Sequence, residues 1–294
     1  MSIRVAEPYS FEMSLRALAG FAPSAGGHQV VGGRVRKAFR LGAEAVVAEL
    51  GPDLSLGVHS GRALAREERA EIERAVSRWL SLDDDMSGFL ASAERDGPMA
   101  HVVRAAHGLH QVRFASLAEG TVYFTLTQRS TQWYATARKR RIAAELGPRL
   151  TVDGVDHVAF PSLATIGALG DAELIGYAGN RQRADRLRTV VAGVAALDEE
   201  WLHTGAYDEV RKALLAVPGI GEFTAQALLL RVLGRPDDAP LGMAQFEAAA
   251  RAVYGETPPG PAELRAHYGR WVGWWAYYAR TASSWVAEPL PVAA

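Results

Sequence analysis

The sequence predicts an α+β protein, mainly α: a small mixed antiparallel N-terminal domain over residues 1–84, followed by an all-helical body over residues 85–294. Two patterns carry this reading. Strand-like alternation of apolar and polar side chains is confined to residues 34–58, and beyond Asp83-Asp84-Asp85 the apolar positions recur at helical spacing, punctuated by Gly and Pro. Composition agrees: 49% hydrophobic and 22% charged residues describe a packed globular chain, not a disordered, collagen-like or coiled-coil one.

The elements follow in order. A first helix, near residues 12–18, ends at Gly20. Val35, Phe39 and Leu41 then fall on one side of a strand, with Arg34, Arg36 and Arg40 on the other. Residues 43–50 form a short apolar run, and Leu54, Leu56 and Val58 alternate. Gly42 and Gly51-Pro52 separate these segments, so they read as an antiparallel meander. Ile72, Val76, Trp79 and Leu80 mark an amphipathic helix. In the body, helices are expected near residues 99–107, 116–146, 166–169, 171–178, 181–196, 207–216, 222–233, 243–253 and 262–285. The closing Glu288-Pro289-Leu290-Pro291 reads as extended.

Several function classes are excluded or disfavoured. Cysteine is absent, which removes disulfides, thiolate metal sites, iron–sulfur clusters and thiol nucleophiles. His101, His107 and His110 lack the i,i+4 spacing of a helical zinc pair, so no metal is expected. Walker, EF-hand and Gly-x-Ser-x-Gly signatures are missing, and no nucleotide cofactor is expected. Apolar stretches stop well short of the roughly 20 residues a bilayer requires. Residues 1–10 carry Arg4 and Glu7 and no apolar core, so the expectation is a cytoplasmic protein without membrane contact. Lys and Arg total 32 against 33 acids, a net charge of -1, so any nucleic-acid site must come from local clustering of bases.

The most informative segment is Val217-Pro218-Gly219-Ile220-Gly221-Glu222-Phe223-Thr224, which joins two apolar helical patterns within residues 207–233. Gly219 and Gly221 permit positive φ and close backbone approach, Ile220 can plug back between the helices, and Thr224 can offer a hydroxyl. The second helix would start with free amides, a favourable place for a phosphate. From spacing alone a plain αα-hairpin is an equal reading. A dinucleotide fingerprint is a poor one, because the third Gly is missing.

The segment resembles the helix-hairpin-helix of the base-excision DNA glycosylase superfamily, and within it the bacterial 3-methyladenine DNA glycosylase II family. The similarity spans nearly the whole chain. It includes Pro8-Tyr9-Ser10-Phe11, Phe160-Pro161, Arg181 to Leu187, Leu233-Gly234-Arg235-Pro236-Asp237 and the aromatic run Arg270 to Tyr278. This resemblance implies a helix-hairpin-helix glycosylase body that binds duplex DNA, flips a damaged, alkylated base and hydrolyses its N-glycosidic bond. It also implies a monovalent cation on the hairpin carbonyls, action as a monomer on damaged double-stranded DNA, and association with the nucleoid. No lysine stands at the hairpin where bifunctional members carry their nucleophile, so lyase chemistry is not implied.

One departure from the family bears on the chemistry. Where the family places its catalytic aspartate, after Pro240, this sequence has Met243. A thioether cannot stabilise a cationic sugar, and losing such a stabiliser typically costs on the order of 10²–10³ in rate. The chain hydrolyses weakly, binds lesions without catalysis, or acts on a non-alkylated base through a different carboxylate. The candidate substitutes are Glu247, one helical turn away, and Asp238 in the preceding loop; a solvated surface position is the competing reading for Glu247. Gln128, Arg129 and Ser130 align with the loop that wedges into the duplex, with Arg129 where close relatives carry an apolar residue. Arg138 to Arg141 could meet phosphates or form a solvated helix face. Tyr123, Phe223, Trp271, Trp274 and Tyr277 are the candidate pocket aromatics, with core packing as the alternative for each.

Overall fold

A computed structural model describes residues 3–287, and the expected extended tail at Glu288-Pro289-Leu290-Pro291 lies outside the described residues. Helix α1 (Phe11–Gly20) is capped by the Ser10 side chain. Strands β1 (Gln29–Val31), β2 (Arg34–Leu41), β3 (Glu44–Leu50) and β4 (Leu56–His59) follow as an antiparallel meander in sequence order. Phe39 faces Val46 across the β2–β3 pair, and Val35 faces Leu50, so the alternation seen in the sequence becomes one apolar face. Helix α2 (Arg66–Leu80) lays Ile72, Val76 and Trp79 on that face.

The body contains α3 (Ser87–Glu94), α4 (Gly97–Ala105), α5 (Leu117–Thr127) and α6 (Gln132–Leu146). The expected helix over residues 116–146 is therefore two helices. Arg129 adopts φ +52° and Thr131 caps the second helix, accepting from the Tyr134 amide at 3.2 Å, so the chain turns at residues 128–131. The body is also not all-helical. Strands β5 (Arg149–Val152) and β6 (Val155–Val158) form a hairpin turned by Asp153-Gly154, both at positive φ, and it packs Val152 against Val47 of the meander. An Asp-Gly pair between short apolar runs is a hairpin signal.

Next come α7 (Leu163–Gly167), α8 (Asp171–Ala178), α9 (Arg181–Ala195), α10 (Glu199–Thr204), α11 (Tyr207–Ala216), α12 (Glu222–Arg231) and α13 (Ala244–Tyr254). Helices α14 (Pro261–Tyr268) and α15 (Val272–Ala282) replace the single helix expected over residues 262–285, because Gly269 at φ +53° breaks it. Helices α3 and α10 have no counterpart among the expected elements.

Two large cores result. One joins the meander and α2 to α4, α13 and α15, so Phe39 and Trp79 share a cluster with Trp275 and Tyr278 from the far end of the sequence. The other packs α5, α9, α11 and α12 around Val122, Leu187, Leu214 and Leu228. The seam between them holds the candidate site.

Candidate nucleic-acid interface

The hairpin between α11 and α12 is built by an inward plug. Ile220 is buried in the second core, and its amide donates to the Val217 carbonyl at 3.0 Å. Gly219 takes φ +93°, and a Cβ there would lie 2.9 Å from the Val190 side chain, so both conformation and space require glycine. Gly221 differs from the sequence expectation: its φ is -99°, and a Cβ would meet nothing within 4 Å. It stands exposed as the N-cap of α12 with open space above it. The amides of the first turn of α12 have no acceptor within that helix, which suits an approaching anion.

Thr224 does not face outward. It is buried, and its hydroxyl accepts a hydrogen bond from Gln128 Nε2 at 3.1 Å. The same Gln128 nitrogen donates to the Gly219 carbonyl at 2.9 Å, so Gln128 and Thr224 bolt the turn after α5 to the hairpin. Arg129 stands exposed on that turn, with its carbonyl held by Arg183 at 3.3 Å. Arg138 is committed elsewhere: its guanidinium donates to the Gly176 and Tyr177 carbonyls at the C-terminus of α8 and lies over the Tyr134 ring. It caps a helix and is not a free phosphate contact. Trp133 went unassigned in the sequence, yet it is 79% exposed and sits one turn past the wedge. The available signal was its position off the inward stripe of α6, which runs through Ala135, Lys139 and Ile142.

Behind the wedge lies a cavity of about 420 Å³, at the seam of the two cores. It gathers Ser130, Tyr123, Phe223, Tyr277 and Met243 from five separate stretches of chain. Phe21, Phe114, Phe124, Phe246 and Trp285 complete its aromatic wall. Trp271 and Trp274 are not on it. Their rings stack on each other 5.2 Å apart, and Trp271 lies against Gly88 of α3 while Trp274 is buried in the first core. The aromatic run is thus shared: Tyr277 faces the cavity, and its neighbours fill the core.

Met243 occupies the N-cap of α13, 38% exposed, and gives that helix no side-chain cap. Neither candidate substitute lines the cavity. Asp238 is held by Gln226 at 2.7 Å and by Arg265 at 2.9 Å, off the cavity wall. Glu247 lines a different depression, of about 250 Å³, between α13 and the Pro258-Pro259 turn. Among the described residues the charged groups on the cavity wall are Arg16, Arg231 and Arg280. Arg231 lies 4.3 Å over Phe21 and 5.1 Å over Tyr277, and Arg280 lies 5.3 Å over Phe246. Burial pulls the Arg231 guanidinium down to about 10, partly offset by Tyr277, and pulls Arg280 below its ordinary value.

No family model matches the chain. It is 28% identical, over 99% of its length, to a probable bifunctional transcriptional activator/DNA repair enzyme AlkA of Mycobacterium tuberculosis, and it spans 58% of that protein. Its structure superposes on 3-methyladenine DNA-glycosylase from Archaeoglobus fulgidus with a TM-score of 0.78 at 18% identity, covering 97% of each chain. The chain is similar in sequence to this AlkA and has the helix-hairpin-helix glycosylase fold. A second glycosylase of this fold, the 8-oxoguanine glycosylase/lyase of Clostridium acetobutylicum in complex with double-stranded DNA, superposes with a TM-score of 0.69 at 16% identity, over 92% of this chain and 91% of that one. No helix among the described residues is long and apolar enough to cross a membrane, and none of their His, Asp or Glu side chains cluster to hold a metal ion.

Proposed function

We propose that this chain is a base-excision repair protein that binds duplex DNA, flips a damaged nucleotide into the cavity and hydrolyses its N-glycosidic bond. The observation that carries the reading is the cavity itself. It is aromatic, of small-molecule size, and bounded by the exposed wedge turn on one side and by Met243 on the other. The hairpin supplies backbone amides for a phosphate, and phosphate contacts position the duplex without reading its sequence. The relatives named for 3-methyladenine make an alkylated base the starting class of substrate. Met243 leaves the sugar cation without a carboxylate, so turnover is slow, by on the order of 10²–10³ against a carboxylate-bearing site.

The protein works as a monomer within the nucleoid. A monovalent cation fits the hairpin: the Leu214 and Val217 carbonyls each accept one amide there, and a carbonyl oxygen keeps a second lone pair for a cation. A second reading, a lesion-binding protein without turnover, is favoured by the placement of Asp238 and Glu247 away from the cavity.

Base release from lesion-bearing duplex under single-turnover conditions, measured beside binding to a duplex with an abasic-site analogue, tests both. The expected result is preference for the abasic duplex over intact DNA, with slow release. Preference without any release selects the second reading, and no preference overturns both.

A further inference from the structure

The cavity walls already contain the cations that aromatic rings attract. Ring faces draw positive charge through their quadrupoles, which is how an aromatic pocket favours a cationic base. Here Arg231 covers faces of Phe21 and Tyr277, and Arg280 covers Phe246. Neither guanidinium has an ion-pair partner among the described residues. Arg231 spends one nitrogen on the Val112 carbonyl at 3.0 Å, and its Nε has no acceptor. A base entering this space meets these two guanidiniums, with Arg16 as a third positive group on the wall, and the unspent Nε donor of Arg231.

We propose that the cavity selects an uncharged base whose edge carries carbonyl oxygens, and disfavours purines made cationic by ring-nitrogen alkylation. The inference rests on the base-flipping reading above and narrows its substrate. A carbonyl oxygen accepts from Arg231 or Arg280 with a charge-assisted hydrogen bond, whereas a cationic ring is repelled by both. The same groups serve the reaction. As the C1′–N bond breaks, its electron pair goes to the departing base, and the charge spreads onto the carbonyl oxygen beside a guanidinium. Water then bonds to C1′ and loses a proton to solvent, and the base anion gains one. Stabilisation is thus moved from the sugar, where Met243 offers none, to the leaving group.

The test is a matched pair of duplexes. One carries 7-methylguanine and the other 7-deaza-7-methylguanine, each with a 2′-fluorine that blocks hydrolysis; the two bases share shape and carbonyl and differ in charge. An abasic-analogue duplex reports base-independent binding. The neutral isostere is expected to bind about tenfold tighter than the cation, the effect of one like-charge contact. Arg280→Gln should shrink that ratio to about twofold, each affinity being taken relative to the same variant's affinity for the abasic duplex, and Arg231→Lys, which keeps the charge, should preserve it. Equal or tighter binding of the cation by the wild type overturns the inference while leaving base flipping intact. Failure to prefer the abasic duplex over intact DNA overturns the base-flipping reading and this inference with it.

Discussion

Met243 sits where two demands coincide. As the N-cap of α13 its side chain offers no acceptor to the helix's first amides, and as part of the cavity wall it offers no charge to the sugar. Met243→Asp should therefore act twice. A carboxylate N-cap stabilises by about 1 kcal/mol, read as a rise of about 2–4 °C in Tm for a chain of this size. Excision of the tightest-bound lesion should rise by on the order of 10²–10³ in single-turnover assays. A Tm gain with unchanged excision would show that the carboxylate is not the missing component, and would select lesion binding without catalysis. The wedge turn makes a second residue-scale prediction. Arg129→Ala should weaken abasic-analogue binding more than intact-duplex binding, because the gap exists only after a nucleotide has left the stack. Trp133→Ala, removing an exposed aromatic surface beside that turn, should weaken both duplexes to the same degree. Fluorescence anisotropy on the two duplexes separates the patterns, and identical profiles for the two variants would reject distinct roles.

The hairpin's two glycines do different jobs, which only the structure distinguishes. Gly219 needs a positive φ and lacks room for a Cβ, so Gly219→Ala should lower stability by about 1 kcal/mol or more. Gly221 has an ordinary φ and open space, so Gly221→Leu should leave Tm nearly unchanged and weaken all duplexes alike by filling the approach to the α12 amides. Normal DNA binding by folded Gly221→Leu would remove the hairpin from the interface. The sequence carried the two helices and the Pro-Gly-x-Gly turn plainly, since their apolar spacing is local. It could not assign Gly221, because occupied and open space above a glycine look the same in one dimension. The Asp153-Gly154 pair was a local hairpin signal that the expectation of an all-helical body passed over. Arg138 was unreadable for a different reason: its acceptors, the α8 carbonyls, lie about forty residues away in sequence.

At the scale of the whole molecule, sheet and body are joined by buried charge. Glu119 of α5 bonds Lys139 of α6, and Lys37 of β2 adds its field from across the seam. Nothing local in the sequence pairs Glu119 with Lys139, twenty residues on, although Lys37 falls in register with Val35 and Phe39 on the apolar side of its strand. Burial alone would push the Glu119 carboxyl up. The two ammoniums outweigh it and bring the group down to about 2 from its ordinary 4.5. Lys37 is pulled below its ordinary value by burial, which Glu119 partly offsets and Lys139 reinforces; the neighbouring His28 is lowered by burial and by Lys37. Because the folded-state value of Glu119 is depressed, its contribution is complete above pH 4.5 and drains away as pH falls towards 2, where the unfolded chain holds a proton that the folded chain does not. Stability measured by urea unfolding should therefore decline steeply across that window. Glu119→Gln leaves two ammoniums buried without their counter-charge, and should cost about 3–5 kcal/mol at pH 7. Its acid limb should also be flatter than the wild type's, since the titrating group is gone. If the two pH curves instead run parallel from pH 5 to pH 2, the acid sensitivity comes from other carboxylates, and the charge cluster stabilises the seam only through packing.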